Sequence, residues 1–238
     1  MTAYMELTLK ISKQEVTLLD TMGSDLSVVN AARVSFAKES EWDTSIGITE
    51  FSDYGDIFSL NEKDQKLISY LAKHNHWSPF AHTSLQFRIK APIFVARQLV
   101  KHQVGGVWNE VSRRYVDDEP EFYFPDVWRG KPVNAKQGSD GVIVLDTRRV
   151  SPQEVIRGAL LTYESLLEQD VAPEQARMVL PQNTMTEWIW TGSLMFFARV
   201  CKLRLDSHAQ QETQEIAKMI NDLIPDNFKH SWDALMSN

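Results

Sequence analysis

The chain has 238 residues, of which 43% are hydrophobic, so it is long enough to bury one substantial core. Its formal net charge of −7 argues against a protein that binds nucleic acid or a membrane surface through a general basic face. The single cysteine, Cys201, excludes an internal disulfide. The N-terminus does not resemble a signal peptide, and no apolar run is long enough to span a bilayer, which predicts a soluble, cytoplasmic protein.

The first part of the chain carries one strand pattern and two helix patterns. Residues 15–20 are typical of a strand, and residues 24–36 predict a helix with Ser24 or Asp25 as the N-cap. Residues 37–60 are polar and lack periodicity, which predicts a long loop. Asn61 then takes a cap position before a segment whose apolar residues recur at helical spacing.

The middle of the chain begins with residues 83–90, where apolar and polar residues alternate as in a half-buried strand. Pro92 favours the first turn of a helix that runs to about residue 104. Gly105 and Gly106 end that helix. Residues 121–125 predict another strand.

Helices dominate the predicted last part of the chain. Residues 126–150 predict a second long loop, and a capping box opens a helix over residues 151–167. Two prolines bound a short helix over residues 173–181. Residues 186–204 predict a long apolar helix, and residues 207–225 contain a last one.

This order of elements predicts an α+β fold, with mixed helices packed on a mainly antiparallel sheet. We expect one domain over residues 1–238, since neither a repeat nor a low-complexity segment divides the chain. The sequence contains no Rossmann fingerprint and no Walker A loop, so a bound nucleotide has to be held in another way.

Cationic and amide residues gather around the Gly105-Gly106 pair of this acidic chain. On the predicted helix they share one side, and they are Arg97, Gln98, Lys101 and His102. Beyond the glycines, Glu110, Ser112 and Arg114 recur at a spacing of two, which places them on one side if the segment is extended. Such groups beside a flexible turn suit a phosphate and a pyrimidine edge, although an ordinary solvated charged face is the alternative.

The apolar helix predicted over residues 186–204 carries Arg199 and Arg204, and His208 follows it. A guanidinium that is buried there needs a partner, which is either a ligand or a structural carboxylate. Cys201 on the same helix is interpreted as a small buried hydrophobe rather than a reactive thiolate. Ser112 is a candidate nucleophile only if His102 lies beside it as a base.

Beyond these local patterns, the stretch APIFVARQLVKHQVGGVWNEVSRRY resembles the signature of the flavin-dependent thymidylate synthases. In that family the signature is Arg-His-Arg, seven residues and Ser, within an Ala-Pro-x-x-x-x-Arg-Gln context. Further matches, in the same order along most of the chain, are MGSDLSVVNAARVSF, LAKHNHWSPFAH, EFYFP, QARMVLP and LRLDSHAQ.

The chain departs from this pattern in three places. The triplet reads Lys101-His102-Gln103, and eight residues rather than seven separate Gln103 from Ser112. At Ser193–Met195 the family often has Asn-Ala-Arg. Replacing a flavin-binding arginine by glutamine removes a charge-assisted hydrogen bond of roughly 1.5–3 kcal/mol, which predicts flavin binding weaker by about ten- to a hundred-fold.

The resemblance implies methylation of dUMP to dTMP, with methylenetetrahydrofolate as the carbon donor and NADPH as the reductant of FAD. It implies flavin contacts by Ser78, Lys101, His102, Gln103, Glu110, Arg199 and His208, with His76 close by. It implies dUMP contacts by Gln98, Lys101, Glu110, Ser112, Arg113, Arg114 and Arg177. Arg204 matches an arginine that polarises the uracil, and the family is homotetrameric, with active sites shared between subunits.

Two hypotheses from other classes stay open. A non-catalytic homologue that has lost its flavin through the changes at Lys101 and Gln103 would bind dUMP without flavin absorbance. A metal-dependent hydrolase would use His74, His76 and His82, although their spacing does not match a standard structural zinc site, and we therefore expect no metal.

Overall fold

A computed structural model gives the fold and describes residues 8–48, 54–133 and 138–237. The strands are β1 (Glu15–Met22), β2 (Asp43–Ile48), β3 (Tyr54–Ser59), β4 (Ser84–Pro92), β5 (Gly106–Glu110), β6 (Trp128–Gly130), β7 (Asp140–Ile143) and β8 (Met185–Gly192). The helices are α1 (Asp25–Arg33), α2 (Glu62–Lys73), α3 (Ile93–Leu99), α4 (Pro152–Glu168), α5 (Pro173–Ala176), α6 (Leu194–Arg204), α7 (Gln211–Asp222) and α8 (Lys229–Met236).

A four-stranded sheet in the order β1-β4-β8-β5 forms the centre of the fold, and every neighbouring pair in it is antiparallel. Alternate residues of β4, namely Leu85, Phe87 and Ile89, are fully buried, as the alternating pattern predicts. The α+β class with a mainly antiparallel sheet is confirmed. Within the described ranges, no helix is both long and apolar enough to cross a membrane.

The main core lies between this sheet and the helices α6, α7 and α8, of which α6 packs against both of the others. Phe197 of α6 meets Phe87 of β4 edge-on, with ring centroids 4.9 Å apart. Trp188 and Trp190 of β8 are almost fully buried in the same core. A separate, smaller apolar cluster joins α4 and α5 to Phe122.

Several helix starts follow the predicted capping. Asn61 accepts a hydrogen bond from the backbone N–H of Asp64 at 3.0 Å, and Ser151 accepts one from that of Glu154 at 3.4 Å. Ser24 caps α1, and its backbone N–H donates to the Ser27 hydroxyl. Each of these contacts spans three residues, so the sequence pattern alone is sufficient to predict it.

The prediction of one long helix over residues 186–204 is wrong for the first half of that segment. Met185–Gly192 is strand β8, which pairs with β4 on one side and β5 on the other, and α6 begins only at Leu194. The segment reads as apolar because its buried face carries Trp188 and Trp190, while its other residues alternate as in a strand. Pairing with two distant strands therefore decides its conformation.

The two predicted long loops contain paired strands. Within residues 37–60, β2 and β3 pair as an antiparallel hairpin. Within residues 126–150, β6 and β7 form a second small hairpin. The prediction of loops in these two segments is therefore wrong. Strands can pair through their backbones even where the sequence shows little alternation of apolar and polar residues. Residues 49–53 and 134–137 of these segments lie outside the described residues.

The helix after Pro92 is shorter than predicted. It spans Ile93–Leu99 with Pro92 as its N-cap, and Lys101 and His102 lie in the turn that follows. The predicted shared helical side therefore holds only for Arg97 and Gln98. Residues 121–125 form isolated bridges at Phe122 rather than a strand, and α8 follows the helix predicted as the last one.

Candidate active site

An arginine–histidine pair lies where α3 and α6 end. The Arg204 Nε donates to His102 Nε2 at 3.0 Å, and Arg204 Nη2 donates to the backbone carbonyl of Gln98 at 3.4 Å. Both side chains are partly buried. The structure thus brings together three of the predicted site residues, namely Gln98, His102 and Arg204.

The protonation state of this pair follows from its chemistry. Burial lowers the pKa of His102, and the nearby charge of Arg204 lowers it further. Because a guanidinium only donates hydrogen bonds, His102 Nε2 has to accept, which places the imidazole proton on Nδ1. Burial also lowers the pKa of Arg204. Arg204 keeps further N–H groups that are free to meet a ligand.

Close backbone packing positions the turn that carries His102. Gly105 has a φ of +89°, a conformation that glycine adopts readily. Gly106 of β5 lies opposite Gly192 of β8, and the ring of Phe196 covers both. A Cβ would lie 2.4 Å from that ring at Gly106 and 2.3 Å from it at Gly192. Gly106 therefore allows the Phe196 ring to approach the backbone closely.

Both atoms of the Gln98 side-chain amide are held by hydrogen bonds, one to Gln210 at the N-cap of α7 and one to Thr213 within α7. Its Nε2 donates to Gln210 Oε1, and its Oε1 accepts from Thr213 Oγ1 at 3.2 Å. Gln210 Nε2 in turn donates to Glu212 Oε2 at 3.0 Å, and Arg129 Nη2 lies 2.5 Å from Glu212 Oε1. Arg129, Gln210 and Glu212 were not predicted as site residues, because the contacts of Gln210 with Gln98 and of Arg129 with Glu212 join residues that are far apart in the chain.

A second group of predicted residues lines an open cleft of about 620 Å³. Glu110, Arg113 and Arg177 belong to its lining, and Ile93 at the start of α3 lies beside them. Arg113 donates to the carbonyl of Asp118 at 2.8 Å, and Arg177 to that of Glu174 at 3.4 Å. Since backbone carbonyls do not neutralise these guanidinium groups, both keep their charge for an anion.

The carboxylate of Glu110 is held in place by its neighbours on the sheet. Its Oε2 accepts from Trp108 Nε1 at 3.1 Å, and its Oε1 accepts from Thr186 Oγ1 at 2.7 Å. Trp108 stacks on Trp188 with ring centroids 4.2 Å apart. The carboxylate at the end of β5 is therefore orientated by two strands.

An ion cluster at the cleft was not predicted from the sequence. Glu121 Oε1 lies 2.8 Å from Lys10 Nζ, and Glu121 Oε2 lies 2.6 Å from Lys90 Nζ. Hydrogen bonds from both lysines hold the pKa of Glu121 at about 2. These two lysines are already neutralised in part, so they compete less for a bound anion than Arg113 and Arg177 do.

Ser112 and Arg114 lie in a turn, not in an extended segment. Arg114 Nε donates to Ser112 Oγ at 3.3 Å, and the backbone N–H of Tyr115 donates to the Ser112 carbonyl. The predicted alternation therefore ends at Glu110, where β5 ends. His102 is bonded to Arg204, so Ser112 is not paired with it as a nucleophile would be.

The remaining predicted flavin residues are exposed. They are His76, Ser78, Lys101, Gln103, Arg199 and His208. Arg199 was expected to be buried, but it lies on the exposed side of α6. Cys201 on the same helix is fully buried, as predicted, and burial raises the pKa of its thiol to about 12.

Many cations of the candidate site have no acidic partner. Among the described residues, none of the following makes an ion pair with a carboxylate: Arg97, Lys101, Arg113, Arg114, Arg177, Arg199 and Arg204. An acidic chain with 32 Asp and Glu residues has ample carboxylates for such pairs. Its unpaired guanidinium groups are therefore available to anionic ligands.

The three histidines near residue 76 do not form a compact group. His74 and His76 both pack against Tyr70, and their own ring centroids are 6.4 Å apart. In the part of the chain that the structure describes, no three His, Cys, Asp or Glu side chains are arranged to hold a metal ion. His74 and His76 instead form an aromatic group with Tyr70 at the end of α2.

Comparison with known proteins identifies the family of this chain. The family model for the thymidylate synthase complementing protein matches residues 17–228. The chain belongs to this family. Among named members, the flavin-dependent thymidylate synthase of Thermus thermophilus is 37% identical over 224 residues, covering 94% of this chain and 76% of that protein. The enzyme of Thermosipho africanus is 35% identical over 232 residues, covering 95% and 92%.

Solved structures show the same fold. A crystal structure of the UMP/dUMP methylase PolB from Streptomyces cacaoi, bound with 5-Br dUMP, has a TM-score of 0.78 and 30% identity and covers 97% of each chain. A second, bound with 5-Br UMP, has a TM-score of 0.79 and 28% identity and covers 96% of each chain. The α+β fold of this chain is therefore the fold of the UMP/dUMP methylase PolB.

The exposed residues of this family member fit a flavin dinucleotide in their chemistry. Lys101 and Arg199 offer charges that no described carboxylate pairs, which suits a pyrophosphate, and Ser78, Gln103 and His208 offer hydrogen-bonding groups. None of them lines the described cleft that contains Arg113 and Arg177. Donors of this kind on an open surface suit a ligand that is enclosed only when a second surface covers it.

Proposed function

We propose that this protein is a flavin-dependent thymidylate synthase that methylates dUMP to dTMP. The proposal is carried by the half-buried pair of Arg204 and neutral His102 beside the Gly105-Gly106 turn, in a chain of this family. Arg204 has spare N–H groups, it is not neutralised by any described carboxylate, and it lies next to Gln98. These are the properties expected of a group that polarises a uracil carbonyl.

We assign dUMP binding to residues with free hydrogen-bonding capacity. Arg113 and Arg177 at the cleft, with Arg114, Ser112 and Lys101, are suited to the phosphate and sugar. Glu110 and Gln98 present acceptors and donors in fixed orientations, which suits a pyrimidine and its sugar. Arg204 then stabilises the negative charge that develops on the uracil when N3 loses its proton.

We assign FAD binding to Ser78, Lys101, His102, Gln103, Glu110, Arg199 and His208, with His76 nearby. The unpaired charges of Lys101 and Arg199 support this assignment, as does the family membership. When bound, FAD carries reducing equivalents from NADPH, so that the methylation needs no cysteine nucleophile. The burial of Cys201 agrees with that chemistry. Methylenetetrahydrofolate is the proposed carbon donor.

We further propose that the active site is completed by assembly into a homotetramer in the cytoplasm. Apolar side chains next to the candidate site are strongly exposed in one chain: Val104 is 79% exposed, Val107 65% and Tyr115 78%. Such patches are typical of surfaces that become buried against another chain. The predicted flavin residues are spread over an open surface, which a second subunit would cover.

Methylation of UMP is a second candidate activity. The structural match to PolB extends over 97% of each chain, and PolB is described as a UMP/dUMP methylase. The same assay with UMP in place of dUMP tests this candidate. Product formation at a comparable kcat/KM would extend the substrate class to ribonucleotides.

The proposed function is tested by the visible absorption spectrum and by product formation. Purified protein is incubated with FAD, desalted, and examined before and after addition of NADPH and dUMP. We expect flavin absorption that bleaches on reduction, and dTMP once methylenetetrahydrofolate is added. A protein that binds dUMP but neither flavin nor NADPH would instead be the non-catalytic homologue.

A further inference from the structure

A directional chain of hydrogen bonds reaches the predicted substrate residue Gln98 from the start of α7. It runs from Glu212 to Gln210 and from Gln210 to Gln98, and it ends at Thr213. Glu212 is 4% exposed and Thr213 is fully buried, so water does not replace these contacts readily. Arg129 pairs with the other oxygen of Glu212.

The carboxylate at one end fixes the direction of every bond in this chain. Glu212 is acceptor-only when ionised, so Gln210 has to turn its NH2 group toward it. The carbonyl of Gln210 then faces Gln98 and accepts from the NH2 group of Gln98. The carbonyl of Gln98 consequently faces Thr213, whose hydroxyl donates. The charge on Glu212 thus determines which end of the Gln98 amide is the acceptor.

The orientation of an amide matters for the choice between pyrimidines. A uracil edge presents the N3–H donor beside a carbonyl acceptor, and it pairs with an amide whose carbonyl faces N3. A cytosine edge presents N3 as an acceptor beside an amino donor, so it pairs with the reversed amide. Gln98 keeps one free N–H and one free lone pair in addition to the bonds described.

We propose that Glu212 is a positioning residue, which acts through Gln210 to hold the Gln98 amide in the orientation that selects a uracil over a cytosine nucleotide. This rests on the proposed function, in which Gln98 contacts the pyrimidine. Glu212 acts on the substrate only through the two glutamines. The role is separable from that of Arg129, which contributes charge pairing and packing to the same region.

Replacing Glu212 by glutamine reverses the chain of donors. Arg129 only donates, so the carbonyl of the new amide faces Arg129 and its NH2 group faces Gln210. Gln210 then presents its NH2 group to Gln98, and the Gln98 carbonyl accepts it. The Gln98 NH2 group turns to Thr213, whose hydroxyl also accepts hydrogen bonds. The substitution changes no atom of Gln98 but inverts what it presents.

The test compares the dissociation constants of dUMP and dCMP by isothermal titration calorimetry in wild-type protein and in the Glu212→Gln variant. We expect the preference for dUMP over dCMP to fall by at least about tenfold in the variant. Glu215→Gln is the matched control, because it makes the same chemical change on the same helix outside the chain of bonds. Glu215 Oε2 accepts from Gln14 Nε2 at 2.8 Å, and Gln14 Nε2 also donates to the backbone carbonyl of Glu212 at 3.1 Å. Because the Glu212 side chain is unchanged in this control, the ratio should stay within about twofold.

Further variants separate a positioning effect from misfolding. Glu212→Asp keeps an acceptor-only group, so it should retain most of the preference for dUMP. Gln210→Met leaves the Arg129–Glu212 pair in place but frees Gln98, and it should weaken the preference without reversing it. An unchanged ratio in Glu212→Gln, or an equal loss in Glu215→Gln, would overturn the positioning role. Failure of the wild type to bind dUMP would instead overturn the proposed function.

Discussion

Arg204 is the residue on which the proposed chemistry depends most. It is half-buried at the end of α6, and its Nε bond to His102 leaves other N–H groups unused. We expect Arg204→Ala to fold, because a partly buried side chain at a helix end contributes little to the core. The rate of dTMP formation should fall by about a hundred-fold or more. A folded variant with near-normal turnover would refute the assignment.

Cys201, in contrast to Arg204, should not be needed for activity. It is fully buried, donates a weak hydrogen bond to the Ala217 carbonyl at 3.5 Å, and has a thiol pKa raised to about 12. A nucleophile needs a thiolate, so we expect Cys201→Ala to keep most of the activity and to lower the free energy of unfolding by about 1 kcal/mol. Chemical denaturation and the dTMP assay measure both. Loss of turnover in a folded, flavin-loaded variant would contradict this prediction.

His102 should make stability depend on pH. Its pKa in the folded state is lowered, so the unfolded chain binds a proton that the folded chain does not. Its contribution to stability is therefore present above the ordinary histidine pKa of about 6.5 and is lost as the pH falls below it. We expect the stability difference between wild type and His102→Gln to shrink as the pH is lowered from 8 to 5. A difference that does not vary with pH would show that the pKa of His102 is the same in the folded and the unfolded chain.

At the scale of elements, one buried carboxylate joins the two ends of the chain. Asp25 at the start of α1 is 1% exposed and accepts the backbone N–H groups of His230 at 2.9 Å and Ser231 at 2.8 Å. It thereby caps α8. Asp25→Ala leaves both donors unpaired, and we expect it to lower the free energy of unfolding by about 2–3 kcal/mol. Asp20→Ala, at a position that the structure leaves exposed, is the control and should change stability by less than about 0.5 kcal/mol.

Local and distant contacts differ in how far the sequence predicts them. The N-caps Ser24, Asn61 and Ser151 could be predicted, because each acts within one helical turn. Strand β8 could not, because its conformation depends on pairing with β4, about 100 residues earlier in the chain. The same limit applies to the site. The resemblance supplied Gln98 and Arg204, but Gln210 meets Gln98, and Glu212 meets Gln210, only where α7 packs against α3.

At the scale of the whole molecule, strand β5 lies at the edge of the central sheet. Its Val107 is 65% exposed, beside the similarly exposed Val104. If this surface is a subunit contact, Val107→Asp buries a charge there. We expect the variant to lose most of its assembled mass in sedimentation velocity, together with most of its activity. Val155→Asp is the control, because Val155 is 68% exposed on α4, away from this strand. An active Val107→Asp variant of unchanged mass would remove this surface from the proposed interface.

The ring of Phe196 over Gly106 and Gly192 also constrains how this chain can diverge. A methyl group at either glycine would overlap the ring, so each single substitution is unfavourable while the phenylalanine remains. A smaller residue at 196 alone would leave a cavity between the two strands. The three positions should therefore covary among relatives, with a side chain at 106 or 192 appearing only where the ring at 196 has been lost. The turn that presents His102 is then inherited together with this aromatic contact as one unit.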